Sequence, residues 1–387
     1  MRNSEFGIRS WNWKRCSGIP HSAFRIPHSR RGVSLLEVLF AILVTTIGLL
    51  GALALLPVAS SQARKGRIND ALGAAATRCI HEFDARGMRR AGNWIAWDPT
   101  LATPIKFRLV TLMPASVVPY GTSYCIDPRM IAANELPARA VGARKFPYSA
   151  TGTEPVMLRC TLRDGGTVVN YMKKLQADSI FFIDDDLTYD RSDDRSLQPT
   201  QTYEFLPGAS TFRGRRQTDG HLSWMATVVP KLDRYTASFN DTYVLSIVMF
   251  YDRPTSFGYN EATTAFDLPD ERTLGVTFTG GGVMGGEVLL TSSSATAEAD
   301  LKIRPNDWIM LSGIATHATA PPPGVPVFKW YRVSDTEAET TDDDGDGTWE
   351  RYATLMGPDW DTSLSNQRAV YVEGVVGVYE KTIRLEP

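Results

Sequence analysis

The stretch "SRRGVSLLEVLFAILVTTIGLLG", residues 29–51, sets two arginines and a glycine before a long apolar run and places one carboxylate, Glu37, just inside it. Between residues 35 and 56 only Glu37, Thr45 and Thr46 interrupt the apolar character. At about 1.5 Å per residue a helix of that length reaches roughly 33 Å, enough to cross a bilayer core. Soluble helices are rarely apolar around their whole circumference for so long. A secretory signal has a shorter apolar region, roughly 7–15 residues, ending in small residues. The run therefore predicts a membrane-spanning helix.

Charge gives its direction. Arg2, Arg9, Lys14, Arg15, Arg25, Arg30 and Arg31 all precede the span, against a single acid, Glu5. By the positive-inside rule the amino end stays cytoplasmic and everything after the span is exported. The other 34 basic and 42 acidic residues leave the exported part at net −8. That balance offers no phosphate-binding surface, so nucleic acid is not an expected partner. "FRGRR" (212–216) reads as a solvated loop.

Beyond Pro57 the pattern turns amphipathic. Ile68, Leu72, Ala76, Cys79 and Phe83 recur at helical spacing, and Gly87 supplies a stop. One helix from Ser34 to near Met88 is expected, in lipid for its first half and packed on a globular head for its second. Pro57, which has no amide donor, would free the Leu53 carbonyl and bend the helix where it leaves the membrane. Gly48 and Ala52, four apart with Gly51 beside them, would let neighbouring transmembrane helices approach closely.

After residue 100 helical periodicity gives way to short β-branched and aromatic runs between turn residues. They include "MLRCTL", "SIFFI", "WMATVVP", "YVLSIVMFY", "LGVTFT", "EVLLTS", "WIMLSG", "FKWYRV", "RYATLM" and "AVYVEGVVGVYEKTIRL". These predict antiparallel strands joined by long loops. The fold class is α+β: a long amino-terminal helix on a largely antiparallel β head.

The residues 32–39, "GVSLLEVL", resemble the signal of type IV prepilins and type II secretion pseudopilins, with a glycine before the cut and a glutamate five residues into the mature chain. Through "EVLFAILVTTIGLLGALALL" the likeness extends to PilV-like minor pilins, and it ends near Ala63. It implies a pilin-like fold and cleavage by a prepilin peptidase between Gly32 and Val33, followed by N-methylation of Val33. It also implies assembly with other pilin or pseudopilin subunits from the inner membrane, the head reaching the periplasm or cell surface. The expected organisation is a cleaved leader (1–32), a transmembrane helix (33–57), an amphipathic continuation (58–90) and a β-rich head (91–387). An inserted subdomain at about 120–220 would account for a head larger than such subunits usually carry.

The resemblance gives Glu37 a task. A carboxylate in hydrocarbon costs about 2.5–3.5 kcal/mol at the helix centre and persists where a partner or function offsets it. The ammonium group freed at Val33, on the same or a neighbouring subunit, is such a partner, and opposite charges attract strongly at low dielectric. Glu37 would then set the register of docking.

Other motifs are weaker. "TFTGGGVMGGEVLL" holds a GxGxxG spacing at Gly280, Gly282 and Gly285, but a strand follows where a dinucleotide site needs a helix, so a hairpin connection is expected. In "TDDDGDGTWERYA", Asp342, Asp344 and Asp346 alternate ahead of Gly347, as in calcium loops, with Glu350 standing in for the missing distal glutamate. Calcium is the cation that set would take, weakly; no cofactor is required. "IDDDLTYDRSDDR" (183–195) lacks the turn glycine and reads as loop. Cysteine spacing excludes a zinc site. Cys79 reads as core, and Cys125 and Cys160 could pair in an oxidising compartment, a pairing that spacing alone does not decide. With His81, His221 and His317 the only exported histidines, and no GxSxG, HExxH or P-loop, an enzyme is not expected. The alternative function is a membrane-anchored binding or enzymatic module, for example one directed at carbohydrate.

Overall fold

The computed structural model describes residues 34–98, 100–101, 107–118, 121–133, 144–148, 154–163, 171–183, 201–203, 215–217, 222–232, 239–253, 259–260, 265–266, 271–294, 296–315, 324–342 and 345–386. It comprises two compact units, Met1–Lys65 and Gly66–Pro387. The helix α1 (Leu35–Ala85) is assigned without a break across that boundary and through Pro57.

In the first unit the segment Leu35–Pro57 is exposed along its whole length, as a helix that meets lipid rather than protein must be. Its two threonines carry no unmet polarity into that apolar surface. The Thr45 hydroxyl donates to the Ala41 carbonyl at 2.6 Å and that of Thr46 to Ile42 at 2.9 Å, so each is satisfied within the helix.

In the second unit α1 turns amphipathic, and Leu72, Ala75, Ala76, Cys79 and Phe83 are buried. It stops as its sequence predicts. Gly87 adopts φ 64°, its N–H bonds the Asp84 carbonyl at 3.1 Å, and the Met88 N–H bonds that of Phe83 at 3.0 Å. Both Met88 and Phe83 are fully buried, which adds the apolar clasp typical of this helix end.

The head strands are, in chain order, β1 (Trp94–Trp97), β2 (Phe107–Leu109), β3 (Tyr124–Ile126), β4 (Lys145–Phe146), β5 (Met157–Leu162), β6 (Gln201–Tyr203), β7 (Arg215–Gln217), β8 (Leu222–Leu232) and β9 (Phe239–Tyr251). They continue with β10 (Tyr259–Asn260), β11 (Ala265–Phe266), β12 (Glu271–Phe278), β13 (Gly285–Ser292), β14 (Trp308–Ala315), β15 (Val325–Thr336), β16 (Trp349–Met356), β17 (Ser365–Val372) and β18 (Val375–Ile383). Among the described residues three short α-helices intervene: α2 (Pro128–Ala133), α3 (Lys174–Phe181) and α4 (Ala297–Asp300).

Eight strands make one large sheet, in the order β18-β9-β8-β3-β5-β1-β2, with β4 also paired to β5. All its pairs are antiparallel except β3 with β5. One face carries Trp94, Ile126, Cys160, Ala226, Val228, Ile247 and Met249, and joins the buried stripe of α1 in a single core. The other face carries Cys125, Met157, Met225, Val248 and Phe250. Because β8 and β9 are covered on both sides, their sequences read as near-continuous apolar runs rather than as alternations.

What covers the second face is a closed six-stranded barrel, β12-β13-β16-β15-β14-β17. Met310, Phe328, Trp330, Val370 and Val372 project from its wall onto the sheet. Leu274, Leu290, Ile309, Leu311, Tyr331, Leu355 and Ala369 fill its interior, with Leu301 and Trp360. The barrel lies wholly within the connection between β9 and β18, two neighbours in the large sheet. The chain leaves at Tyr251 and returns at Gly374, where the Tyr251 N–H bonds the Gly374 carbonyl at 2.8 Å. Gly374 has φ 83°, and a Cβ there would fall 2.7 Å from the Tyr251 carbonyl oxygen, so only glycine fits.

Within the stretch 120–220, β3 and β5 are interior strands of the large sheet, and the barrel at 271–372 is a self-contained element. One expectation needs revision. "SIFFI" is not a strand: residues 179–181 end helix α3. The Lys173 N–H bonds Gln176 Oε1 at 2.9 Å to start that helix, and Ala177 and Phe181, four apart, bury against the sheet with Phe181 4.5 Å from the Trp224 ring. Tertiary packing outweighs the β preference of an aromatic run.

Candidate functional site

The first site is the start of α1. Ser34 caps it: the Glu37 N–H lies 3.0 Å from the Ser34 carbonyl and 3.3 Å from Ser34 Oγ. This is the S-x-x-E spacing of a helix start, and it puts Glu37 in the first turn beside the positive end of the helix dipole. Glu37 is exposed, as are Gly48, Gly51 and Ala52, about three to four helical turns further on. A Cβ added at Gly48 or Gly51 would meet nothing within 4 Å, so both positions are open to a neighbouring helix. Gly32 and Val33 lie outside the described residues.

The second is a charge cluster that sequence reasoning missed. Asp127 follows β3, Arg159 sits in β5, Arg253 follows β9 and Glu271 opens β12. All four are buried, Arg159 and Asp127 to 1% exposure. Arg159 Nη1 is 2.7 Å from Asp127 Oδ2, and its Nη2 is 2.8 and 2.6 Å from the two Glu271 oxygens. Arg253 grips Asp127 with two bonds, at 3.1 and 2.7 Å, and reaches Glu271 at 3.4 Å. The Tyr148 N–H donates to Glu271 at 2.9 Å. Two acids and two guanidiniums balance, with geometry good enough to offset desolvation. Burial pushes the Asp127 carboxyl up, but Arg253 and Arg159 outweigh it and hold it below the usual carboxylate range. Burial also works against the charge on Arg159, and Glu271 and Asp127 reverse that, keeping it fully protonated. The cluster ties the first residue of the barrel to three strands of the sheet; its carboxylates are occupied, so it positions rather than transfers protons. One signal was available: an arginine in the middle of the strand run "MLRCTL".

The glycine-rich stretch is the β12–β13 connection, as expected. It is held by the β16–β17 turn, with the Trp360 N–H on the Gly282 carbonyl at 2.8 Å and the Gly357 N–H on that of Met284 at 3.0 Å. The acidic stretch is the β15–β16 loop, closed by the Thr341–Glu350 bridge. Asp346 Oδ1 accepts the Thr348 N–H at 2.6 Å, and Glu350 pairs with Thr291 in the barrel ladder. Asp342 has one carboxylate oxygen shielded and without a partner among the described residues. Asp344 lies outside the described residues, and among those described no three His, Cys, Asp or Glu side chains are placed to share a cation.

Cys125 and Cys160 are not bonded, and so do not make the pairing open to them in an oxidising compartment. On the parallel strands β3 and β5, Cys125 stands opposite Arg159 and Cys160 opposite Ile126, a register offset of one. Successive side chains alternate faces, so Cys125 enters the core under the barrel and Cys160 the core under α1. Burial pushes the Cys79 thiol up to about 12 and raises those of Cys125 and Cys160 as well. We expect the mature chain to show the same intact mass with and without reductant. Its thiols should resist iodoacetamide at pH 8 until the chain is unfolded; a two-proton mass difference on reduction contradicts this arrangement.

Residues 27–53 match a family model described as the prokaryotic N-terminal methylation motif. No curated protein and no solved structure matches the chain.

Proposed function

From the type IV prepilin-type signal that the chain carries at its amino end, we propose that it is a minor pilin or pseudopilin subunit. It inserts in the inner membrane with its basic end cytoplasmic, is cut by a prepilin peptidase between Gly32 and Val33, and is methylated on Val33. It then joins a type IV pilus or a type II secretion pseudopilus through the Leu35–Pro57 segment, and the β-rich head gives that assembly its distinct surface. The observation that carries the reading is the matched segment itself: a methylation motif running into a Ser34-capped helix, exposed for its first 23 residues, with one carboxylate in its first turn.

Glu37 is the residue that separates docking from simple anchoring. A cap needs only the Ser34 oxygens and the Glu37 backbone N–H, so removing the carboxylate leaves the helix start intact. Glu37→Gln is expected to insert in the membrane at the wild-type level and to enter filaments at least tenfold less well, equivalent to about 1.4 kcal/mol of lost pairing. Fractionation of sheared filaments from a strain carrying that variant measures both. Equal incorporation of variant and wild type removes the docking role.

A further inference from the structure

We propose that a furrow on the outer wall of the barrel binds a short, uncharged oligosaccharide. The furrow is a cavity of about 690 Å³ whose floor crosses β12, flanked by β17 on one side and by the end of β13 and the turn leading to α4 on the other. That size lies within the usual 300–1,000 Å³ range of small-molecule sites. Gly275 forms the floor, between Thr291 on β13 and Arg368 on β17 in the ladder. A Cβ at this position would fall 2.2 Å from Thr291 Oγ1. Glycine weakens the interior of a strand and marks places where another group approaches the backbone closely. Here it keeps the floor low.

The chemistry of the walls selects the ligand. The charged side chains lining the furrow are already engaged within the protein. Arg368 pairs with Glu154 at 2.9 Å, and Glu271 belongs to the buried quartet. Asp300 accepts the hydroxyls of Ser294 and Thr296, the latter at 3.2 Å. Arg272 donates to the Ala299 carbonyl at 2.8 Å and meets Glu373 at 3.3 Å. An anion would therefore find no spare countercharge, and Asp300, held by hydroxyls among the described residues, adds an acceptor for a sugar hydroxyl. Hydroxyls remain: those of Thr291, Ser293 and Thr348 line the furrow and make no hydrogen bond among the described residues. Each can both donate and accept, which matches the alternating donor and acceptor character of sugar hydroxyls. Among the described residues no aromatic ring lines the furrow to stack against a pyranose face, so affinity is weak, in the millimolar range.

This inference does not depend on filament assembly; the Glu37→Gln variant should bind sugar as well as the wild type. The test uses the full mature chain in a detergent without a sugar headgroup, with saturation-transfer NMR against maltotriose, cellotriose and chitotriose, and trigalacturonate as the anionic control. At least one neutral trisaccharide is expected to give transfer and the anion none. The pair Thr291→Val and Thr348→Val, which keeps β-branched side chains, should lower the signal tenfold or more at an unchanged melting temperature. Ser293→Ala, outside any strand, gives a second reading that does not risk the fold. Retention on the matching polymer, competed by the trisaccharide, identifies a surface glycan as the ligand; trisaccharide binding without retention identifies a free sugar. Absence of transfer from every neutral sugar, equal transfer from trigalacturonate, or undiminished signal in the hydroxyl-free variants overturns the proposal.

Discussion

Replacing Arg159 with methionine lowers the unfolding free energy of the head by about 3–5 kcal/mol, the cost of breaking a buried ion pair from one side. The loss follows from what remains. Asp127 and Glu271 would share the single guanidinium of Arg253, and Glu271, now 3.4 Å from its nearest cation, would be left short of countercharge in a dry junction. Adding Glu271→Gln restores part of the loss, because the two-bond grip of Arg253 on Asp127 then stands alone and balanced. Urea unfolding of the detergent-solubilised chain, followed by tryptophan fluorescence, measures both variants, and the double-mutant cycle isolates the coupling. A loss below about 1 kcal/mol for the single variant would show that the quartet does not hold the barrel to the sheet.

The same cluster fixes a pH dependence. The folded Asp127 carboxyl titrates below its unfolded value of 3.8. Its contribution is therefore complete above the unfolded value and is lost as pH falls through the lower, folded one. Stability should be flat on this account near pH 6 and decline below pH 4, and the decline should be shallower in Asp127→Asn, which begins from a lower plateau.

The second large effect is all-or-none. Intact mass of the membrane-extracted protein is expected to correspond to a chain that begins at Val33 with one added methyl group, and Gly32→Arg should leave the leader attached. The peptidase must fit its catalytic groups around the bond, and a side chain at the residue before the cut occupies the space the glycine leaves. On the proposed docking role an uncut chain would also fail to assemble, because it would carry a basic tail in place of an ammonium group at Val33 to meet Glu37. Recovery of the native protein with residues 1–32 still in place defeats the processing step and with it the assembly mechanism.

The helix was the legible part. An unbroken apolar run, the Ser34 to Glu37 spacing, the stripe ending at Phe83 and the stop at Gly87 are all local, and local sequence determines a helix. Most strands were legible too, since "YVLSIVMFY" and "FKWYRV" leave little else for a β-branched, aromatic run to do. Their order was not. The barrel closes by pairing Glu271 with Val372, and the sheet pairs Tyr243 with Ile383, contacts over a hundred residues apart that no periodicity announces. The quartet was hidden for the same reason: its members come from four segments, and each acid alone reads as the end of a strand. The cysteines failed by one residue of register, a difference that spacing along the chain does not carry.

The touching points Tyr251 and Gly374 make the barrel a detachable loop in topology, one that a two-residue turn could replace without moving either flanking strand. Energetically it is the reverse of detachable. Its removal would strip an apolar lid from one whole side of the sheet, take Glu271 and Arg253 with it, and leave the Arg159–Asp127 pair uncovered. A lineage could acquire such a cassette in a single insertion, yet once the cassette supplied Glu271 and the Trp330 face, losing it again would unfold the platform on which it landed.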